Sequence, residues 1–247
     1  MELGQKKDVS NVLKKYNELF VESGILERII PRKVSTPEEL KEWNKYVLRS
    51  DKEYEETDID AINDGLLELI YDLLDRGGKR WRPVLGMIYA ECLGRNVADA
   101  IMMGSHQHDD ILFACGLTEF VHNGSLMIDD VEDKSLMRRG EPCTYLKYGD
   151  DYAVNTGTIM YCVPIMKIDE FIKDDDALKF YMYKTCCEET ANLHFGQNWD
   201  IHWHNGHKMP SEEQYLHMII NKTSVLPRLC VRLIARIMEE DPAEMVY

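Results

Sequence analysis

Residues 122–142 read HNGSLMIDDVEDKSLMRRGEP, and the rest of the chain is organised around this stretch. If the stretch is helical through Asp133, then Asp129 and Asp133 lie four residues apart on one face. Asp130 lies beside them, and His122 falls on the same face, so the carboxylates are expected to converge. Like charges at this spacing repel by roughly 0.2–0.5 kcal/mol. A repulsive spacing of like charges that brings no evident structural gain indicates a functional site.

A metal–diphosphate site would explain this acidic cluster. Magnesium is commonly held by one or two carboxylates together with the phosphate oxygens of a substrate. Arg138 and Arg139 follow within ten residues of the aspartates and supply the positive charge that a polyanionic substrate requires. The alternative is a solvated acidic helix end, since charge runs usually face water.

Composition narrows the class of protein. The 247 residues are 45% hydrophobic, enough for a buried core, and the net charge of −15 disfavours nucleic acid and anionic membrane surfaces as partners. No run approaches 18 uninterrupted apolar residues, and the N-terminus has no signal or transit composition, so we expect a cytoplasmic protein that is not integral to a membrane. The seven cysteines without CxxC spacing fit reduced thiols.

Helical periodicity extends along most of the chain and predicts an all-α fold. One amphipathic helix is expected over 8–30, a second is expected after the Thr36 N-cap, and long helices are expected over 110–133, 150–171 and 177–204. Ser211 to Gln214 forms a capping box that starts a further helix. Pro227 is expected to interrupt or kink the last apolar run.

A basic cluster follows the glycine pair at 77–78. Lys79, Arg80 and Arg82 are the densest positive charge in an acidic chain, and Lys79 and Arg82 are spaced to present to one ligand. Charges that complement a helix dipole would explain one or two of these residues but hardly all three.

Taken together, these motifs resemble the trans-isoprenyl diphosphate synthases, the all-helical prenyltransferases that lengthen an allylic diphosphate with isopentenyl diphosphate. The amino-acid sequences of these motifs are most similar to those of the eukaryotic geranylgeranyl diphosphate synthases. The resemblance runs from about residue 60 to the end of the chain and implies a single-domain helical bundle of the isoprenoid synthase type around a central cavity. The matching motifs are GGKRWRP at 77–83, H-x6-DDVED at 122–133, RRGEP at 138–142, GQNWD at 196–200 and KT at 222–223.

The resemblance also implies a function for each motif. It implies Mg2+ as the cofactor, held by Asp129, Asp133 and Asp200, with Gln197 and Asp200 across the cavity from the first aspartate cluster. It implies catalytic roles for Asp129, Asp130, Asp133 and Lys222. It implies a shared pocket for isopentenyl diphosphate, formed by Lys79, Arg82, His122 and Arg139, and contact of Lys222 and Thr223 with the allylic diphosphate. Arg138 and Gln197 are also expected to bind substrate.

Product length is expected to depend on the residues one and two turns before Asp129. Gly124, Ser125 and Val121 would point down the shaft that receives the growing chain. Short-chain members of the family carry bulky aromatic residues at the first two positions, so two small residues predict geranylgeranyl diphosphate or a longer product. The alternative is that Gly124 and Ser125 merely allow close helix packing.

The sequence departs from the family near its end, where members carry a second aspartate-rich motif that this chain lacks. The resemblance implies N-terminal helices at 1–57 that are structural and help form a homodimer, and a synthase core at 58–247 that stops before this motif. The chain as given is expected to turn over poorly and the natural protein to be longer. Alternative hypotheses for the function are a non-catalytic or truncated subunit of a prenyl synthase, a farnesyl diphosphate synthase and a class I terpene cyclase.

Overall fold

The computed structural model describes residues 2–43, 56–206 and 208–239, and helices dominate all three ranges. A π-helical segment, Asn63–Leu67, lies between α4 and α5. The helices are α1 (Glu2–Glu22), α2 (Ile25–Ile29), α3 (Pro37–Trp43), α4 (Glu56–Ile62), α5 (Glu68–Asp75), α6 (Trp81–Cys92), α7 (Val97–Met102), α8 (Asp109–Glu132), α9 (Thr144–Tyr148), α10 (Asp150–Met166), α11 (Ile168–Phe171), α12 (Asp176–His204), α13 (Glu212–Lys222) and α14 (Val225–Ile237).

The first of two compact units comprises Met1–Ile25, Lys79–Glu119 and Lys167–Tyr247. Within it α12 packs against α13 and α14, α14 packs against α6, and α1 packs against α6 and α7. The inward face of α14 is buried over almost its full length, including Leu229 and Leu233. This packing fixes α12 and α13, the two helices that carry the motifs at 196–200 and 222–223.

The second unit comprises Leu26–Gly78 and Phe120–Met166. Here α10 packs against α5 and α9, and α3 packs against α4. The boundary between the units falls inside α8, after Glu119, so the C-terminal half of α8 with its aspartates belongs to the second unit.

A short β-hairpin follows α8, and the sequence analysis did not predict it. Strand β1 (Met137–Arg138) pairs antiparallel with β2 (Glu141–Pro142). The two turn residues, Arg139 and Gly140, have φ angles of 54° and 85°, as a tight two-residue hairpin requires. Because a left-handed conformation costs a non-glycine residue about 1–2 kcal/mol, the surroundings must hold Arg139 in place.

The predicted helix starts are confirmed by their capping contacts. The backbone nitrogen of Glu39 donates to Thr36 Oγ1 over 3.2 Å at the start of α3. At the start of α13, Ser211 and Gln214 form the reciprocal bonds of a capping box. Side-chain oxygens followed by Glu or Gln therefore identified these boundaries correctly.

Three helix predictions were wrong in detail. The helix expected over 8–30 divides at Gly24, whose φ of 63° ends α1, and Val9 remains 60% exposed where a buried face was expected. The helix expected over 150–171 divides at Lys167 into α10 and α11. Pro227 lies in the first turn of α14, where a missing N–H costs no intrahelical bond, so it does not interrupt the helix.

Helix α8 is long and apolar enough by composition to cross a membrane. Its most apolar 18-residue window has a mean hydropathy of 1.3, and 78% of that window is buried. Burial on this scale is typical of a core helix, so length and composition alone are weak evidence for a membrane span.

The all-α fold class is confirmed, while the division at residue 57 stays a prediction. Residues 44–55, shortly before this division, lie outside the described part of the chain.

Candidate active site

Asp129 and Asp133 lie one helical turn apart at the C-terminal end of α8. The backbone nitrogen of Asp133 donates to the carbonyl oxygen of Asp129 over 2.8 Å, which continues the helical turn one residue past Glu132. Asp129 is partly exposed and Asp133 is exposed. Both carboxylates are therefore accessible to a ligand on the same side of the helix.

Asp130 lies in a different environment, and the expected convergence of three carboxylates is corrected here. Its side chain is 2% exposed and accepts bonds from Arg138, with Nε to Oδ1 at 3.0 Å and Nε to Oδ2 at 3.1 Å. Asp130 follows Asp129 by about 100° around the helix, which turns it into the protein. Its predicted catalytic role would have to act through Arg138.

Arg138 is the partly exposed partner of this ion pair. The hydrogen bond to Asp130 raises the pKa of Arg138, and its Nη2 also lies 3.6 Å from Asp129 Oδ2. The guanidinium therefore bridges two carboxylates and offsets part of their negative charge.

Arg76, the C-cap residue of α5, anchors the hairpin that carries Arg138 and Arg139. Arg76 Nη1 donates to the carbonyl oxygens of Arg138 at 3.2 Å and Pro142 at 2.9 Å. Asp72 holds Arg76 in turn, with its Oδ2 2.5 Å from Arg76 Nη2. No local sequence pattern identifies Arg76 and Asp72, because they act on the hairpin from more than sixty residues away.

Arg139 is held by both its backbone and its side chain. Its Nη1 donates to the carbonyl oxygen of Leu73 over 3.1 Å. A Cβ on Gly78 would lie 3.3 Å from the guanidinium carbon, so the guanidinium rests against the bare backbone of that glycine. Gly78, the second glycine of the GGKRWRP motif, thus leaves room for Arg139, a residue predicted to bind diphosphate.

The product-length residues separate into two kinds. A Cβ on Gly124 would lie 2.6 Å from the carbonyl oxygen of Gly157 and 3.0 Å from Met160 Cβ, so this position favours the packing alternative. Val121 is fully buried. Ser125 is partly exposed, and its Oγ donates to the carbonyl oxygen of His122 over 2.7 Å. Ser125 is therefore the position at which the size prediction remains open.

The first unit carries the basic cluster. Lys79 is exposed, and the Arg82 guanidinium lies 4.6 Å from the centre of the Trp81 ring. The pKa of Arg82 is lowered by burial, and the negative charge of the nearby Glu119 offsets only part of this effect. Arg80, with a φ of 39°, directs its side chain to within 3.9 Å of the buried Glu119. Glu119 is therefore an ion-pair partner of Arg80 and a nearby negative charge for Arg82.

Helices α12 and α13 bring together two predicted site residues. Lys222 Nζ forms an ion pair with Asp200 Oδ2. Gln197 lies on the same helix as Asp200 and is partly exposed, and Thr223 is exposed at the C-cap of α13. A predicted metal ligand and a predicted diphosphate ligand therefore neutralise each other in this structure.

Glu189 of the first unit is a buried acid with two arginine partners, and it was not predicted from the sequence. It is 1% exposed and accepts from Arg228 Nε at 2.9 Å, Arg228 Nη2 at 2.6 Å and Arg232 Nη1 at 2.7 Å. Burial alone would raise the pKa of Glu189, but the bonds from Arg228 and Arg232 outweigh it and lower the pKa. The spacing of Arg228 and Arg232, four apart on the apolar helix α14, was the available signal.

This network predicts a pH-dependent stability. Because the folded pKa of Glu189 lies below its unfolded value of about 4.3, its contribution is complete above that pH and is lost as the pH falls through the folded pKa. We expect Glu189→Gln to lower the free energy of unfolding by about 2 kcal/mol at pH 7 and by progressively less below about pH 4. Urea unfolding at each pH measures this difference.

Glu188→Gln is the matched control, since Glu188 is 44% exposed and meets Arg232 at 3.3 Å. It should cost well under 1 kcal/mol. An equal cost for both variants, or a Glu189→Gln effect that does not change with pH, would contradict the assignment.

The carboxylates fit magnesium as it is bound in phosphate-handling sites. Over residues 2–43, 56–206 and 208–239, no three or more His, Cys, Asp or Glu side chains gather into a complete ion-binding group. Asp129 and Asp133 alone offer two oxygen-bearing side chains, and Mg2+ keeps several waters or phosphate oxygens beside one or two carboxylates. These two residues would hold the ion only together with other oxygen ligands.

Several predicted relationships involve both units and stay predictions. They are the shared pocket of Lys79, Arg82, His122 and Arg139, and the position of Gln197 and Asp200 across a cavity from Asp129.

Comparison with known proteins supplies the family. A polyprenyl synthetase family model matches residues 63–246. A geranylgeranyl pyrophosphate synthase from Eremothecium gossypii is 38% identical over 124 residues, which are 50% of this chain and 39% of that protein. Variediene synthase from Emericella variicolor is 36% identical over 121 residues, covering 49% of this chain and 16% of that protein.

A solved structure supports the same assignment. A crystal structure of geranylgeranyl pyrophosphate synthase aligns with a TM-score of 0.63 at 25% identity, over 85% of this chain and 58% of that one. This similarity confirms the predicted fold of the isoprenoid synthase type. The chain spans less than half the length of these two curated relatives. Since the family model covers well over half of its residues, the chain belongs to the polyprenyl synthetase family.

Proposed function

We propose that this protein is a Mg2+-dependent prenyltransferase that condenses isopentenyl diphosphate with an allylic diphosphate to make geranylgeranyl or longer trans-prenyl diphosphate. The observation that carries the proposal is the accessible Asp129–Asp133 face beside a hairpin that presents Arg138 and Arg139. The relatives named as geranylgeranyl pyrophosphate synthases support the choice of substrate and product.

The proposed reaction breaks the allylic C–O bond, joins the isopentenyl double bond to the resulting cation and releases a proton. Bound Mg2+ would act as a Lewis acid that stabilises the departing diphosphate. Arg139, preset by its left-handed turn and its bond to Leu73, adds a fixed positive charge that needs no reorganisation during the reaction. Lys222 and Thr223 would bind the allylic diphosphate, and Lys79, Arg82, His122 and Arg139 would bind the isopentenyl diphosphate.

The test is a single-turnover assay with enzyme in excess, so that a slow chain still gives product. Labelled isopentenyl diphosphate and farnesyl diphosphate should yield labelled geranylgeranyl diphosphate in Mg2+ and none in EDTA. Conversion of geranylgeranyl diphosphate into a hydrocarbon without uptake of isopentenyl diphosphate would instead support a terpene cyclase. Absence of both reactions would favour a non-catalytic subunit.

Replacing Ser125 with Phe tests the product-length prediction. A phenyl ring at this partly exposed position should close the shaft and shift the main product from geranylgeranyl to farnesyl or geranyl diphosphate, with activity retained. Product lengths are read by reversed-phase chromatography after dephosphorylation.

Gly124→Ala is the matched control for packing. Its new Cβ would meet the Gly157 carbonyl oxygen, so we expect a loss of about 1–3 kcal/mol in the free energy of unfolding without a change in product length. An unchanged product distribution in Ser125→Phe would refute the shaft.

A further inference from the structure

One face of α12 forms a seam that receives α13 and α14. Glu189, Leu193, Gly196 and Asp200 follow one another at spacings of four, three and four residues, which places them on a single stripe of the helix. Glu189 binds Arg228 and Arg232 of α14 near one end of this stripe. Asp200 binds Lys222 of α13 at the other end.

Gly196 is a point of close backbone approach between α12 and α13. A Cβ at this position would lie 2.7 Å from the carbonyl carbon of Asn221 and 2.9 Å from the Cα of Lys222, well inside van der Waals contact. Those atoms are backbone, so they could not move aside as the end of a flexible side chain would. Any larger residue at Gly196 must therefore displace the last turn of α13.

That last turn carries Lys222, whose ammonium meets Asp200 one helical turn beyond Gly196. The backbone of the turn is closed by the bond from the nitrogen of Thr223 to the carbonyl oxygen of Ile219, at 2.8 Å. A shift of the Lys222 backbone would thus be transmitted to the ammonium and to its ion pair.

We infer that Gly196 is a positioning residue that sets the Lys222 ammonium against Asp200. From this position the ammonium can exchange the Asp200 carboxylate for a diphosphate as its ion-pair partner. The inference rests on the proposed function only for the identity of that ligand. In the absence of ligand, the Asp200 carboxylate keeps the charge of Lys222 balanced and its side chain ordered. A diphosphate then competes with one carboxylate for an ammonium that is already in place, which reduces the ordering required on binding.

Lysine acylation tests the inference without any ligand or turnover. Limiting acetic anhydride is applied to the folded chain in metal-free buffer, and modification is read by peptide mass spectrometry. Lys222 is 25% exposed and paired, whereas Lys184 on the same helix as Asp200 is 62% exposed and serves as the internal reference. We expect Gly196→Ala to raise the acylation rate of Lys222 about threefold or more relative to Lys184, the size expected from losing one ion pair at the surface.

A double-variant comparison separates positioning from general disturbance. Asp200→Asn alone should raise the Lys222 rate by a similar factor, and adding Gly196→Ala to it should give no further increase. Gly65→Ala, which crowds only the Tyr152 ring in the other unit, is the packing control and should leave the Lys222 rate unchanged. Unchanged Lys222 reactivity in a folded Gly196→Ala chain overturns the inference, as does an equal increment in the Asp200→Asn background. If Gly196→Ala does not fold, an unchanged rate in Asp200→Asn overturns it.

Adding inorganic pyrophosphate with Mg2+ distinguishes failure of the inference from failure of the proposed function. Protection of Lys222 by pyrophosphate in the unaltered chain supports both. A Gly196-dependent rate without protection would leave the positioning role standing and contradict diphosphate binding at Lys222.

Discussion

Replacing either Asp129 or Asp133 with Asn is expected to lower the rate of prenyl transfer by at least about 100-fold, the effect of removing one preorganised group that stabilises transition-state charge. Each substitution keeps the size of the side chain and removes the negative charge that would bind Mg2+. Because both residues lie at an accessible helix end, the fold should be little affected. Single-turnover rates and urea unfolding of each variant measure the two effects separately.

Glu132→Gln is the matched control for this loss. Glu132 is exposed in the same turn, carries the same charge and lies outside the proposed site. Its variant should react near the unaltered rate, since only local charge is lost. A comparable fall in all three variants would show that the rate depends on net charge at the helix end and not on two particular ligands.

Asp130→Ala should have its largest effect on stability. Asp130 is buried and accepts both Nε and Nη2 bonds of Arg138, so its loss leaves a partly buried guanidinium without its main counter-charge. We expect the free energy of unfolding to fall by about 3 kcal/mol, near the lower end for breaking a buried pair, because Arg138 is 27% exposed and water can reach part of it.

The stability control is Asp133→Ala at the exposed end of the same segment, which should change the free energy of unfolding by no more than about 0.5 kcal/mol. Equal losses in Asp130→Ala and Asp133→Ala would contradict the structural role of Asp130. The double variant Asp130→Ala with Arg138→Met should recover part of the loss, because the unpaired charge is then removed as well.

Local sequence signals predicted the elements whose determinants are local. The capping residues Thr36 and Ser211 act on backbone groups within a few residues, so the starts of α3 and α13 could be located. The break at Gly24 was missed because one glycine inside a periodic pattern is often tolerated. The hairpin was missed because its strands are two residues long and its turn is Arg-Gly, without the usual Asn or Asp.

The residues of the candidate site could be predicted from the sequence, whereas most of their tertiary contacts could not. The spacing of Asp129 and Asp133 follows from helix geometry and was predicted correctly. The inward turn of Asp130 depends on Arg138, which the hairpin brings back to α8, and no local periodicity specifies that return. The tight environment of Gly124 likewise depends on Gly157, thirty-three residues along the chain.

Glu189 shows why the seam on α12 was not recognised from the sequence. A charged residue in a helical pattern is normally placed on the solvated face, and its burial becomes favourable only when two arginines from another helix satisfy its oxygens. Gly196 is similar, since only the approach of the α13 backbone explains the absence of a side chain.

Titration calorimetry of Mg2+ into the chain, with and without inorganic pyrophosphate, is the decisive test of a metal–diphosphate site on α8, once the heat of Mg2+ binding to pyrophosphate without protein is subtracted. Clear Mg2+ binding to the chain is expected only when pyrophosphate is present, because Asp129 and Asp133 supply too few oxygens to complete an octahedral shell and Mg2+ gives up water reluctantly. The Asp129→Asn, Asp133→Asn double variant should lose this pyrophosphate-dependent binding. Equal Mg2+ affinity without pyrophosphate, or binding that survives in the double variant, would contradict a shared metal–diphosphate site on α8.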